Sequence, residues 1–476
     1  MLMQELLEKR TTFSKHFDNQ DGTFTSRVGL SPLHYPDDNT GLLVDIDVKT
    51  AEDHGTYWAF KKAQHRLLVA KDFGASQLIR FDSKKADGVN NRTIFFEPTR
   101  IVWLNNPDLS DMVVFRNALP VIGVLTDNKI TYANAFGPGI DYEIVFGPQG
   151  IMKNLVINAK NNLELPPTPQ HKLVLLSKFT GGGMQMMARG MQQWDKAADY
   201  DTEADIEITE TDGQKFYMRK ANIWDAADER QDVRVLWMKR NNTLWQGKIL
   251  PKAFLQNAKY PVRTDTVIDT YDATNSKQVV YDAGGGTYAS IQGAATGTNV
   301  YTLALATHNI LHNSKISTQW YIRRADLQFD TSALPTGATV TAATLTMYAA
   351  GTGGGDTDGE SIVIVNNSDN SNLSDPIVTE DYNDFTTASQ GSRDITDFFN
   401  AGANVSITFT DFSAIKVGAG AVSRIGLRTS GDTSATQPTG SNLLRVDFGT
   451  DAPYLDVTYS LNSGIHRGMF ALVEKA

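Results

Sequence analysis

The 476-residue sequence contains no cysteine. A chain without thiols has no disulfides, no thiol nucleophile and no cysteine-ligated zinc. It also has no apolar run near the roughly 20 residues needed to span a bilayer. Glu5 and Glu8 stand where the apolar part of an export signal would run. We therefore expect no membrane partner, and a protein that is made in the cytoplasm without a signal peptide.

The net charge of −10 is unevenly distributed. The residues before Pro261 hold 32 basic and 32 acidic side chains, whereas those from Pro261 onward hold 12 and 22. Six of the seven tryptophans also precede Pro261. Two parts of such different composition predict two domains, and since neither is basic, a nucleic-acid partner is not expected.

Short apolar segments separated by turn residues dominate the pattern. Asp21-Gly22 lies between two phenylalanines and predicts a hairpin turn. The segment Asp141–Phe146 alternates as a half-buried strand does, and Gly147-Pro148 separates it from a second strand over 151–157. The part after Pro261 is poor in Glu and Lys and rich in β-branched residues, with eight or nine short strands.

These patterns predict an all-β fold with minor α structure, made of two β-sandwich modules of which the C-terminal one is a jelly roll. The expected organisation is an N-terminal arm with a short amphipathic helix over residues 1–30, a β-rich sandwich module over 31–264 with a proline-rich connector at 164–169, a jelly roll over 265–460, and a C-terminal tail over 461–476.

The stretch Arg324–Tyr348, RADLQFDTSALPTGATVTAATLTMY, resembles the central signature of DNRLRE-type jelly-roll domains. The segment Ala452–Tyr459 resembles the last strand of that family, so the resemblance covers about residues 265–459. It implies that the signature forms adjacent core strands. The alternation itself points a set of apolar side chains inward, namely Leu327, Phe329, Val340, Leu345 and Met347.

The first part of the chain carries a second resemblance. Arg10–Asp18, Pro32–Tyr35 and Phe136–Tyr142 are similar to the module that precedes a DNRLRE-type domain in Rhs-type and wall-associated surface proteins. Short two-module chains of this kind resemble tailed-phage virion components. The resemblance implies a non-catalytic structural protein of the virion, in the capsid decoration, vertex, neck or tail, whose partners are copies of itself and other virion proteins.

No catalytic or cofactor-binding residue is predicted, but two patterns offer metal ligands. Asp356, Asp358 and Glu360 surround Gly359 and provide the oxygen ligands that calcium prefers, although Gly/Asp runs are also common turns. His308 and His312 have the spacing of two zinc ligands on a helix, but Asn309 replaces the glutamate of a zinc protease.

Two other function classes remain open. An adhesin that binds a host-surface glycan would present exposed aromatic side chains, for which the candidates are Tyr271, Tyr281, Tyr288, Tyr301 and Trp320. A polysaccharide-degrading enzyme would hold two carboxylates in a cleft, and Asp45 and Asp47 alternate onto one strand face.

Apolar residues near both ends predict contacts between subunits. They are Leu2 and Leu6 at the start and the stretch Met469–Val473 at the end, which can equally fold back on their own module.

The methionine-rich run over 184–191 predicts either a contact surface or ordinary core filling.

Overall fold

The computed structural model describes residues 3–37, 39–83, 92–105, 109–164, 166–181, 185–188, 200–202, 206–209, 215–227, 229–240, 243–269, 276–284, 286–303, 307–350, 355–366, 373–375, 377–399, 402–448 and 451–461. Strands make up 53% of the chain and helices 8%, which confirms the all-β class with its two sandwich modules. Of the methionine-rich run, residues 185–188 form a short strand and the others lie outside the described residues, as do Leu2 and Met469–Val473. No helix in the described ranges is long and apolar enough to cross a membrane.

The chain divides into two compact modules. Residues 35–273 form one, here called the inserted module, and residues 1–34 together with 274–476 form the other, the terminal module. Residues 1–30, which the sequence pattern predicted as an arm, therefore belong to the module that contains the jelly roll.

The N-terminal residues form strands rather than the expected helix. Their elements are β1 (Gln4–Glu5), a 3₁₀ turn (Leu7–Lys9), β2 (Ser14–Asp18) and β3 (Thr23–Gly29). Strands β2 and β3 pair as a hairpin in which Asp18 faces Phe24, as the Asp21-Gly22 turn predicts. The sequence offered a helix because Leu6 recurs four residues after Leu2, but Leu6 donates its backbone N–H to His16 of β2.

The inserted module consists of antiparallel strands and one short helix. In chain order they are β4 (His34–Pro36), β5 (Leu43–Asp45), β6 (Glu52–Asp53), β7 (Tyr57–Phe60), β8 (His65–Ala70), β9 (Ile79–Ser83), β10 (Arg92–Leu104), β11 (Val113–Asn117), β12 (Val124–Thr126), β13 (Lys129–Tyr132), β14 (Ile140–Gly147), β15 (Gly150–Ile157), a 3₁₀ turn (Lys160–Asn162), β16 (Lys172–Gly181), β17 (Gln185–Ala188), β18 (Tyr200–Thr202), β19 (Ile206–Thr209), β20 (Lys215–Met218), β21 (Ala221–Trp224), β22 (Arg230–Val233), β23 (Val235–Arg240), β24 (Thr243–Leu250), α1 (Lys252–Asn257), β25 (Val262–Thr264) and β26 (Val267–Asp269).

Two sheets enclose the core of this module. One has the order β18-β23-β24-β16-β10-β9-β8-β7-β6 with β11 beside β10, and the other the order β12-β13-β14-β15-β26-β20-β19-β17 with β21, β22 and β25 attached. Strands β14 and β15 form the predicted hairpin, in which Gly147 pairs with Gly150. Phe81 and Phe96 of the first sheet and Ile144 and Leu155 of the second belong to one buried apolar cluster, so the sheets pack face to face.

The rest of the terminal module adds eleven strands, two short helices and two 3₁₀ turns. They are β27 (Lys277–Gly284), α2 (Tyr288–Gln292), β28 (Asn299–Thr302), β29 (Thr307–Ile316), β30 (Gln319–Asp330), β31 (Thr339–Ala349), β32 (Ser361–Asn366), a 3₁₀ turn (Thr379–Asn383), β33 (Ser389–Asp394), a 3₁₀ turn (Ile395–Phe398), β34 (Asn404–Thr408), β35 (Val422–Thr429), α3 (Ser430–Thr433), β36 (Leu443–Asp447) and β37 (Tyr454–Ser460). The sheet runs β1-β2-β3-β37-β31-β36-β29-β30-β35-β32-β33, with β27 on β30, β28 on β27 and β34 on β31.

The signature stretch occupies β30 and β31, and the turn between them is formed as predicted. Ala338 donates its backbone N–H to Pro335, and Gly337 adopts a φ of +78°, which glycine tolerates without strain. The two strands are not neighbours, however, because β36 and β29 lie between them in the sheet. The eight residues from 331 to 338 carry the chain across the core, where Leu327 and Leu345 meet in one buried cluster.

Candidate functional site

The acidic loop predicted as a calcium site is held together by hydrogen bonds. Nδ2 of Asn442 donates to the carboxylates of Asp358 (2.7 Å) and Glu360 (3.0 Å). Glu360 also accepts from Nδ2 of Asn313 (2.7 Å), and Asp356 accepts from the backbone N–H of Glu360 (2.7 Å). The three carboxylates thus act as acceptors for donors of the protein itself.

The environments of two of these carboxylates differ. Burial raises the pKa of Glu360, although hydrogen bonds, among them that of Asn313, act in the opposite direction. For Asp358, hydrogen bonds from Asn442 and Thr439 outweigh partial burial and lower the pKa. Within the described ranges, no group of three or more His, Asp or Glu side chains is placed to hold a metal ion.

The two histidines with zinc-like spacing lie on strand β29 rather than on a helix. Four residues along a strand span about 13 Å, so the two rings cannot share one metal ion as they would on adjacent helical turns. Each ring instead packs against an aromatic side chain, His308 against Phe448 and His312 against Tyr321.

The two carboxylates considered for a glycosidase lie in a turn and at an exposed strand end. Asp47 accepts from the backbone N–H groups of Lys49 and Thr50, and its other oxygen lies 3.3 Å from Nζ of Lys62. This is the geometry of a turn-capping side chain. Asp45 is exposed at the end of β5.

The candidate glycan-binding aromatics are mostly in the core. Tyr288, Tyr301 and Trp320 are buried, and the rings of Tyr288 and Trp320 lie 5.4 Å apart. Tyr281 is half-buried against the same cluster, and Tyr271 lies outside the described residues. The four described side chains stabilise the terminal module rather than form an exposed platform.

Arg324, the first residue of the signature, belongs to a buried ion triad. Its Nε and Nη2 donate to the two carboxylate oxygens of Asp432, both at 2.8 Å. Arg428 donates to the same oxygens, both at 2.9 Å. Burial alone would raise the pKa of Asp432, but the two guanidinium groups lower it to about 2.

The triad also fixes loops of the terminal module. Arg324 donates to the backbone carbonyls of Tyr382 and Gln292, and Arg428 donates to that of Phe385. Because the three charged side chains are at most 3% exposed, no ligand reaches them. The triad is therefore a structural element that ties β30 and β35 to the loops beside them.

A second buried polar group lies in the inserted module. Lys153 of β15 and Lys248 of β24 are both buried, and burial lowers the pKa of Lys153 well below its ordinary value and that of Lys248 to about 7. Nζ of Lys153 lies 3.5 Å from the ring centre of Phe96. Burial also raises the pKa of the nearby Asp265, against the charge of Lys248.

A surface groove on the inserted module is a further candidate site. Residues 169–172, Gln231, Asp232, Arg234 and residues 249–252 line it, and its volume is about 370 Å³. This volume lies in the range of small-ligand sites, roughly 300–1,000 Å³. Sequence reasoning missed this groove because its three segments are up to about 80 residues apart and share no motif.

We call it the basic groove, since Lys172, Arg234 and Lys252 line it and are all exposed. Asp232, the one acidic lining residue, forms an ion pair with Lys220.

The chain matches no protein-family model and no curated protein sequence.

Proposed function

We propose that this protein is a non-catalytic structural component of a phage virion, which assembles with copies of itself and with other virion proteins. The observation that carries the assembly part of this proposal is an exposed aliphatic segment over residues 113–124 of the inserted module, here called the apolar segment.

The apolar segment concentrates exposed hydrophobic surface. Ten large hydrophobic side chains are exposed in the part of the chain that the structure describes, and five of them lie here: Val113, Val114, Leu119, Ile122 and Val124. Ile122 and Val124 are 67% and 64% exposed. Scattered exposed aliphatics are normal in soluble proteins, but a concentration within twelve residues favours an interaction surface.

The backbone of the apolar segment offers a means of association as well. Among the described strands, β11 pairs only with β10 and β12 only with β13. Between them, Ile122 forms an isolated antiparallel bridge with Asp72, so the edges without a β partner are those of β11 and of β12 itself. Unpaired edges flanked by aliphatic side chains are suited to β-sheet pairing between chains. A second copy of this chain is the partner we propose, since identical edges can pair about a two-fold axis.

The virion part of the proposal rests on the resemblance of the two modules to phage components. Jelly-roll and sandwich folds pair most of their strands within the sheets and place loops at the ends of the sheets, which suits a rigid assembly unit. Capsid, vertex, neck and tail positions are all compatible with it.

Light scattering coupled to size-exclusion chromatography, followed by electron microscopy, tests the proposal. The wild-type protein should form a defined oligomer or join phage particles, and the variant Ile122→Ser/Val124→Ser should shift towards the monomer. Leu42→Ser is the matched control, since Leu42 is 69% exposed outside the apolar segment. A wild-type monomer at all concentrations that never co-purifies with particles would overturn the proposal.

A further inference from the structure

We propose that the basic groove of the inserted module binds an acidic saccharide, such as an oligomer of uronic acid units. This site is separate from the apolar segment, and the proposal does not depend on the proposed assembly function.

The charge of the basic groove selects an anionic ligand. Three of its lining residues are cationic, and the single acid, Asp232, is already paired with Lys220, which is not a lining residue. The groove therefore carries positive charge in a chain whose net charge is −10. Exposed lysine and arginine side chains around a concave surface attract carboxylate or sulfate groups by charge-assisted hydrogen bonds.

The uncharged part of the lining distinguishes a saccharide from a simple anion. Gln170 and Gln231 are exposed and present amide oxygens and N–H groups. Hydroxyl groups can donate to these oxygens and accept from the N–H groups, whereas a sulfate or carboxylate ion only accepts. Pro169, Ile249 and Pro251 add apolar surface, against which the C–H faces of a sugar ring can pack.

The basic groove lies on a part of the inserted module whose backbone is held by strand pairing. Lys172 begins β16, Ile249 and Leu250 end β24, and Pro251 and Lys252 lead into α1. Lining residues therefore sit on strand ends, whose backbone is held by the neighbouring strands: Leu173 pairs with Leu250. A site on such a rigid frame needs little ordering before it binds.

Isothermal titration calorimetry with the full chain tests the assignment. The probes are a galacturonic acid hexamer, neutral maltohexaose, inorganic sulfate and a glutamate hexamer. We expect the galacturonic acid hexamer to bind, more weakly as salt concentration rises, and the other three to bind at least several-fold more weakly. Lys172→Gln/Lys252→Gln should weaken binding of the hexamer by roughly fivefold or more.

Two further variants separate recognition from general charge. Lys61→Gln/Lys62→Gln removes the same charge from exposed lysines elsewhere in the inserted module and should leave affinity unchanged. Gln170→Ala/Gln231→Ala should weaken binding of the hexamer while leaving sulfate binding unchanged. The proposal is overturned if the hexamer does not bind, if both lysine double variants lose affinity equally, or if sulfate or the glutamate hexamer binds as tightly.

Discussion

Nζ of Lys248 donates to the backbone carbonyl of Lys153 at 3.4 Å, across the interface between the two sheets of the inserted module. The contact joins two buried lysines, one from each sheet. In the described part of the chain Nζ of Lys153 has no hydrogen-bond acceptor. A core that holds two amines of lowered pKa becomes less stable when either of them is protonated.

We predict that Lys248 makes the inserted module more stable at pH 10 than at pH 7. Burial lowers its pKa from 10.5 to about 7, so the unfolded chain binds the proton more tightly than the folded one. The Lys248 contribution therefore lowers stability by about 3–5 kcal/mol as the pH drops from 10.5 to 7. Lys153, whose pKa is lowered further, adds a loss of the same sign that continues below pH 7.

Lys248→Met should reduce this dependence between pH 10 and pH 7 and leave the part that comes from Lys153. An apolar side chain of similar length should increase stability at pH 7 by about 1–4 kcal/mol. Urea unfolding followed by tryptophan fluorescence reports on this module, since six of the seven tryptophans precede Pro261. Lys61→Met is the control at an exposed lysine. An unchanged pH profile in Lys248→Met would show that the amine is not desolvated as described.

We predict that Asp432 is essential for the terminal module. Asp432→Asn leaves Arg324 and Arg428 without a counter-charge in a buried position, which should cost about 3–5 kcal/mol. Because the pKa of Asp432 is lowered from 3.8 to about 2, its charge contributes about 2 kcal/mol above pH 4, and this contribution is lost as the pH falls through 2.

Hydrogen exchange at the amides of β30 and β35 measures the effect of Asp432→Asn. Asp456→Asn is the matched control, because its ion pair with Arg27 at 2.8 Å is partly exposed and should contribute less than about 1 kcal/mol. Equal losses in the two variants would argue against a special role for the triad.

Local features of the fold were predictable from the sequence, whereas partners distant in sequence were not. The Asp21-Gly22 turn and the β14–β15 hairpin follow from turn residues flanked by alternating segments. Asp432, in contrast, is 108 residues from Arg324, and nothing in the local pattern links them. The loop around Glu360 likewise depends on Asn442, which is 82 residues away.

The buried lysines show a second reason for the limits of prediction. All eight residues of β15 are buried, so burial does not alternate along this strand. The sequence therefore does not indicate which way the side chain of Lys153 points. A lysine in such a strand is expected to reach solvent, because burying a charge is costly. Only the packing of the second sheet, with Lys248 opposite, identifies the pair.

Strand β3 joins the N-terminal residues to the rest of the terminal module. It pairs with β37 over seven residues, Thr23–Gly29 against Tyr454–Ser460. Phe24, Val28 and Leu30 are buried in the same apolar cluster as β30 and β31. A protein that lacks residues 1–30 should therefore have an unstable terminal module, since it exposes the edge of β37 and loses three core side chains.

Phe24→Ala tests this with a single substitution and should cost about 3 kcal/mol or more. Thermal unfolding and hydrogen exchange at β37 are the measurements, and Leu7→Ala is the control, because Leu7 is 62% exposed. If a fragment of residues 265–460 alone unfolds as cooperatively as the full chain, with equal protection of β37, the N-terminal hairpin contributes little to this module. The boundary first expected at residue 265 would then describe a domain that folds on its own.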